Sequence, residues 1–117
     1  MSEPIYPDTT TFLGQVVTAV IDRPLNSHHP QWGFVYPVNY GYLPGVPAPD
    51  GDDLDAYVLN VAVPLKKFTG LCVALIHRRD DADDKLILVP PGQKISDAQI
   101  REQTFFQERF FHSIIIR

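Results

Sequence analysis

The chain has 117 residues, 44% of them apolar and 21% charged, with a formal net charge of −4 and a pI near 5.4. That length suits one domain with one modest core, and the acidic balance argues against nucleic acid or an anionic membrane surface as a partner. No apolar run approaches the roughly twenty residues of a membrane span, the start of the chain lacks a basic and apolar targeting segment, and the single cysteine, Cys72, suits a reducing, cytoplasmic setting.

Eleven prolines break the chain into short pieces, which favours strands over long helices. Residues 1–12 are polar and proline-containing and read as an extended arm. Residues 15–22 (QVVTAVID) are β-rich and predict a first strand, which Pro24 ends or sets at an edge. Residues 26–30 read as a loop and 32–36 as a short strand. The aromatic segment 36–42 (YPVNYGY) then leads into a loop that runs to residue 55. Residues 56–61, 71–77 and 85–89 predict further strands, the last two joined by a charged hairpin. Ser96 with Gln99 forms a capping-box pattern opening a helix over 96–109, with Ile100, Phe106 and Phe110 on one stripe. Residues 114–116 predict a terminal strand. At least five short strands and one C-terminal helix imply a mainly β chain with one α element: a small closed, OB-like barrel, which hides sheet edges.

The densest chemistry lies in the loop before the strand at 56–61, where Asp50, Asp52, Asp53 and Asp55 put four carboxylates in six residues. Like charges this close repel, and a cation removes that cost. Aspartate oxygens are hard ligands suited to Mg²⁺, Mn²⁺ or Ca²⁺. A solvated turn is the alternative, since Asp-Gly is a common turn dipeptide. Asp80, Asp81, Asp83 and Asp84, followed by Lys85, form a second acidic group, which read alone is a solvated turn of mixed charge. His28, His29, His77 and His112 lack metal-ligand spacing, and neither a glycine-rich phosphate loop nor a set-up Ser or Cys nucleophile is visible.

The order Tyr36-Pro37-Val38-Asn39-Tyr40-Gly41-Tyr42, then Asp50-Gly51-Asp52-Asp53-Leu54-Asp55-Ala56, resembles the soluble, Mg²⁺-dependent inorganic pyrophosphatases. That family carries Tyr-Pro-x-Asn-Tyr-Gly-(Tyr/Phe) and, about ten residues on, Asp-x-Asp-(Pro/Glu)-hydrophobic-Asp-hydrophobic; Asp53 is the departure. The resemblance implies metal-dependent hydrolysis of pyrophosphate by a metal-activated water, with Mg²⁺ as cofactor and Mn²⁺ as an alternative. It implies Asp50, Asp55 and Asp83 as direct or water-mediated metal ligands, and Asp52 as the group that orients and deprotonates the water. Tyr40 would lend its hydroxyl to a phosphate and Lys85 would pair with the phosphoryl group. The family's partner of Asp83 falls on Arg78 without a gap, or on Asp80 or Asp81 if the turn is shortened; Asp84 is an alternative to Asp83. Asp22 loosely replaces an early glutamate. Of the cationic residues that clamp phosphate in the family, only Arg23 and Arg109 offer substitutes. This thinned cationic side keeps two further readings open: a phosphohydrolase acting on another phosphoanhydride or phosphoester, and a non-catalytic metal-binding barrel. A small-molecule phosphate is the expected partner, and exposed aromatic or proline-rich segments would serve a homo-oligomer.

Overall fold

The structure is a computed structural model that describes residues 9–80 and 83–117. The N-terminal eight residues of the expected arm, and Asp81, therefore lie outside the described residues. Thr9–Phe12 form a single 3-10 turn rather than an extended segment. The strands are β1 (Val16–Arg23), β2 (Asn39–Pro47), β3 (Asp53–Val58), β4 (Lys67–Arg78), β5 (Asp83–Val89) and β6 (Ser113–Ile116), with helix α1 (Asp97–Glu108) between the last two.

The strands pair in the order β1-β2-β3-β5-β4-β6, and β1 also pairs with β4, which closes a five-stranded barrel with β6 appended. Only β3 and β5 run parallel; the other pairs are antiparallel. The twelve-residue β4 serves two neighbours in turn: Lys67 to Leu71 pair with β1, and Leu75 to Arg78 pair with β6. Closure leaves few open edges on so small a sheet.

Side chains alternate across each strand, so the sheet has two faces. The barrel interior is filled by Ala19, Ile21, Leu43, Leu54, Ala56, Val58, Cys72, Leu75, Leu86 and Leu88. The opposite face carries Tyr57, Ala74, Ile76, Ile87 and Val89, and α1 covers it with Ile100. Ser96 caps that helix through a full capping box with Gln99, as the sequence implied. One irregularity decides which face the end of β4 presents. Cys72 pairs with Leu88 and Ala74 with Ile87, so Val73 is an extra residue in a bulge. Cys72 faces inward, whereas Ala74, Ile76 and, in step with them, Arg78 face the helix side.

Residues 32–36 do not form the expected strand; only a single bridge, His28 to Val35, is present. Gly33 adopts a left-handed backbone (φ 73°), and the amides of Gln31 and Trp32 both donate to Nδ1 of His29, curling the segment into a turn. The loop expected from Leu43 onward is instead the second half of β2, and β3 begins before the acidic loop has ended. A register shift between Leu43 and Pro47, with Gly45 at φ 74°, absorbs the extra residues.

Candidate functional site on the helix side of the barrel

Cross-strand register assembles the site. Tyr40 lies opposite Tyr57, Asp55 beside Lys85, Lys85 opposite Ile76, and Asp83 opposite Arg78. These residues share the helix-side face through the two-residue period of their strands. The C-terminal turn of α1 then lowers Gln107 and Glu108 onto them.

The result is a continuous polar network. Lys85 Nζ donates to Asp55 Oδ2 (2.6 Å) and to Asp83 Oδ2 (2.8 Å). Arg78 Nη1 reaches the same Asp83 oxygen at 3.3 Å, while its Nε and Nη2 hold the two oxygens of Glu108 at 3.0 and 2.7 Å. Tyr57 donates to Glu108 Oε2 (2.6 Å) and accepts from Gln107 Nε2 (2.7 Å). The Arg78 guanidinium lies 3.7 Å from the Phe111 ring centre. Arg78, Asp83, Lys85 and Glu108 are buried, and the Asp55 side chain keeps a third of its surface exposed. Burial pushes the Asp83 carboxyl above its usual range, although Lys85 and Arg78 pull the other way. Burial, and then the nearby charge of Asp55, hold the Tyr40 hydroxyl well above its ordinary value. Tyr57 is held up in the same way by burial and Glu108. For Arg78, burial disfavours the charge, but the Glu108 contacts outweigh it and raise the pKa.

The other predicted site residues lie around this network or apart from it. Asp50 and Asp52 are exposed in the loop before β3, where the Asp52 amide donates to Asp50 Oδ1. Neither has a cationic partner among the described ion pairs. Asp53 turns back to accept from the Gly45 amide. Asp22 and Arg23 end β1 at the edge of the site: Asp22 feels the charge of Asp55, and Arg23 donates to the Asp22 carbonyl at 3.1 Å while its charge reaches Tyr36. Asp84, one residue from Asp83, faces the other way and binds His77 (2.7 Å) and Thr9 (2.6 Å). Asp80 accepts the His112 amide. Arg109 is exposed beyond the helix and lies over Phe110 rather than in the network.

The donor chemistry of the acidic loop suits a divalent cation: exposed carboxylates that have no counter-cation among the described residues, beside an Asp55 that meets Lys85 through Oδ2. Among the described residues, however, no three of His, Cys, Asp or Glu converge on a point that could hold an ion.

Three contributors escaped the sequence reading. Asn39, wholly buried, accepts from the amides of Leu25 and Leu65 and donates to the carbonyl of Val63, tying two loops to β2. For Arg78 the sequence implies no more than the ungapped position of the family's partner of Asp83, not a buried cation; its step after Ala74 and Ile76 is the available signal, because a charge in an apolar phase needs a partner. Glu108 gave none, as a helix-terminal glutamate is ordinarily solvated. A wall of rings borders the network: Trp32 stacks on His29 at 4.8 Å, and Phe106 meets Tyr57 edge-on at 6.0 Å. Between wall and network lies a cavity of about 170 Å³ bordered by Trp32, Tyr40, Arg78 and Lys85.

A family model described as inorganic pyrophosphatase matches residues 17–114. The inorganic pyrophosphatases of Pseudomonas aeruginosa and Gluconobacter oxydans are 41% and 39% identical over 59 residues, covering 47% of this chain in each case. The match spans 34% of each of those proteins, so the chain accounts for about a third of the length of these curated relatives. Among solved structures, an inorganic pyrophosphatase from Ehrlichia chaffeensis is similar with a TM-score of 0.66 at 17% identity, over 86% of this chain and 84% of that one. One from Helicobacter pylori gives 0.63 at 21% identity, over 81% and 75%. At these identities the structural likeness concerns the fold.

Proposed function

Since this chain belongs to the inorganic pyrophosphatase family, we propose that it hydrolyses inorganic pyrophosphate to two phosphates on the helix-side face of the barrel. The observation that carries this reading is the grouping of Tyr40, Asp55 and Lys85 on that face, in the barrel of that family. The family generally uses a divalent metal, and Mg²⁺, or Mn²⁺ in its place, is the ion proposed here. Asp50, Asp52 and Asp55, through its Oδ1, are the groups that would hold it. When bound, it neutralises phosphate charge and acidifies a water.

The chain's own residues supply the rest. Asp52, exposed and without an ion-pair partner among the described residues, accepts the proton of the attacking water. Tyr40 stays protonated and donates to a phosphoryl oxygen. Lys85 presents its remaining N–H to the same group. Arg23 and Asp22, at the end of β1, would add one charge of each sign to the edge of the site. Among the described residues no helix is long and apolar enough to cross a membrane; a cytoplasmic enzyme acting on a small soluble phosphate fits. Exposed Trp32, Phe105 and Phe110 would serve contact with a second copy.

Phosphate release from pyrophosphate with Mg²⁺, beside an Asp52→Asn variant, tests the reading. Release that falls at least about 100-fold in the variant supports it; release that survives assigns the activity elsewhere. A second reading is favoured by the pairing of Lys85 and Arg78 with carboxylates. Fewer free cations mean weaker binding of bare pyrophosphate, so an organic phosphoanhydride or phosphoester would be the better substrate. Higher kcat/KM on pyrophosphate than on a panel of such esters eliminates it, and no turnover on any leaves a binding barrel.

A further inference from the structure

We infer that Arg78 and Lys85 are resident counter-cations of the buried carboxylates, so that Asp83 and Glu108 do not take a divalent ion in this protein. Three acids, Asp55, Asp83 and Glu108, and two bases, Arg78 and Lys85, form one connected cluster. The acceptors are largely used. Both Glu108 oxygens are held by Arg78, and Oε2 also receives the Tyr57 proton. Asp83 Oδ2 receives both Lys85 and Arg78. Metal coordination at Glu108 would need those same lone pairs, and an ion on the other oxygen of Asp83 would lie against both cations.

The cations cannot step aside cheaply. Arg78 is 5% and Lys85 3% exposed, so a divalent ion placed here would sit beside two buried positive charges. Displacing either would strand a buried charge. Phe111 covers the face of the guanidinium, and the bulge after Cys72 exists in register terms to turn Arg78 toward this side. Breaking α1 away to free Glu108 would also unpair Tyr57 and Gln107.

The bonding also leaves donors over. Lys85 uses two of its three N–H groups and Arg78 three of its five in these contacts. Both residues border the cavity beside Trp32 and Tyr40. The cluster therefore meets a ligand as a fixed set of N–H donors, a role a metal ion would otherwise fill. This places any divalent ion the protein uses on the solvent side of Lys85.

The experiment needs no substrate, so its result is independent of whether pyrophosphate is hydrolysed. Side-chain carboxyl ¹³C signals are followed in the full chain as Mg²⁺ is added, and Mn²⁺ affinity is measured for the wild type, Asp83→Asn and Lys85→Met. The Asp83 and Glu108 signals are expected to stay in place, and Asp83→Asn to leave Mn²⁺ affinity within about twofold. Lys85→Met, by exposing two carboxylates, is expected to raise Mn²⁺ affinity about tenfold. Titration of the Asp83 or Glu108 signal by Mg²⁺, or a loss of tenfold or more in Asp83→Asn, overturns the inference. If Lys85→Met does not fold, the wild-type titration still decides.

Discussion

Replacing Asn39 with alanine tests whether the buried amide, rather than the aromatic residues beside it, is what the Tyr-Pro-x-Asn-Tyr-Gly stretch supplies to the fold. The side chain is fully buried and makes three hydrogen bonds: from the amides of Leu25 and Leu65, both at 3.0 Å, and to the carbonyl of Val63 at 2.8 Å. Alanine leaves all three backbone groups without their partner. An unpaired buried polar group costs about 1–3 kcal/mol. Leu25 and Leu65 are only half-buried and Val63 is exposed, so water recovers part of that, and the low end applies to each. The sum is about 3 kcal/mol, a large fraction of the stability of an ordinary domain. At roughly 4 °C per kcal/mol for a chain of this size, Tm should fall by about 12 °C. Calorimetry gives the shift, and amide hydrogen exchange locates it: Leu25 and Leu65 should lose protection while Ile87, in the middle of β5, keeps its own. A fall of less than about 3 °C, with Leu25 and Leu65 still protected, would refute the idea that these loops depend on Asn39.

Gly41→Ala should destabilise by roughly 3 kcal/mol or more, because the added Cβ would come within 1.9 Å of the Val20 carbonyl oxygen at the β1–β2 pairing; urea unfolding that matches the wild type would contradict the close approach. Alkaline pH should also weaken the fold. Tyr40 and Tyr57 are held well above their ordinary value of 10.0, so the folded chain keeps protons that the unfolded chain releases. Their contribution is complete below that value and is lost as pH rises past it. The urea midpoint should therefore drop above pH 10, and the drop should be smaller in Tyr57→Phe; an equal drop in both proteins would remove Tyr57 as a cause.

The chain's local pattern was enough for the kind of fold and for part of the site. Alternating and apolar runs marked β1, β4, β5 and β6 to within a few residues, and the Ser96–Gln99 box marked the start of α1, because periodicity and capping are local properties. Spacing singled out Asp50, Asp52 and Asp55 as an acidic group, while Asp83 and Lys85 were implied only by the family resemblance. Partnership was settled by tertiary structure. Whether residues 32–36 pair as a strand depends on a neighbour, and here the rings stack and the chain turns at Gly33 instead. Asp83 and Asp84 are adjacent and chemically equal in sequence, yet strand alternation sends one to Lys85 and Arg78 and the other to His77. Arg78 reaches the site only because one extra residue in β4 reverses its phase, and Glu108 only because α1 ends above it. A bulge and a helix-to-sheet contact are long-range events. No window of neighbouring residues encodes them, since what fixes them is the burial of charges that must find each other.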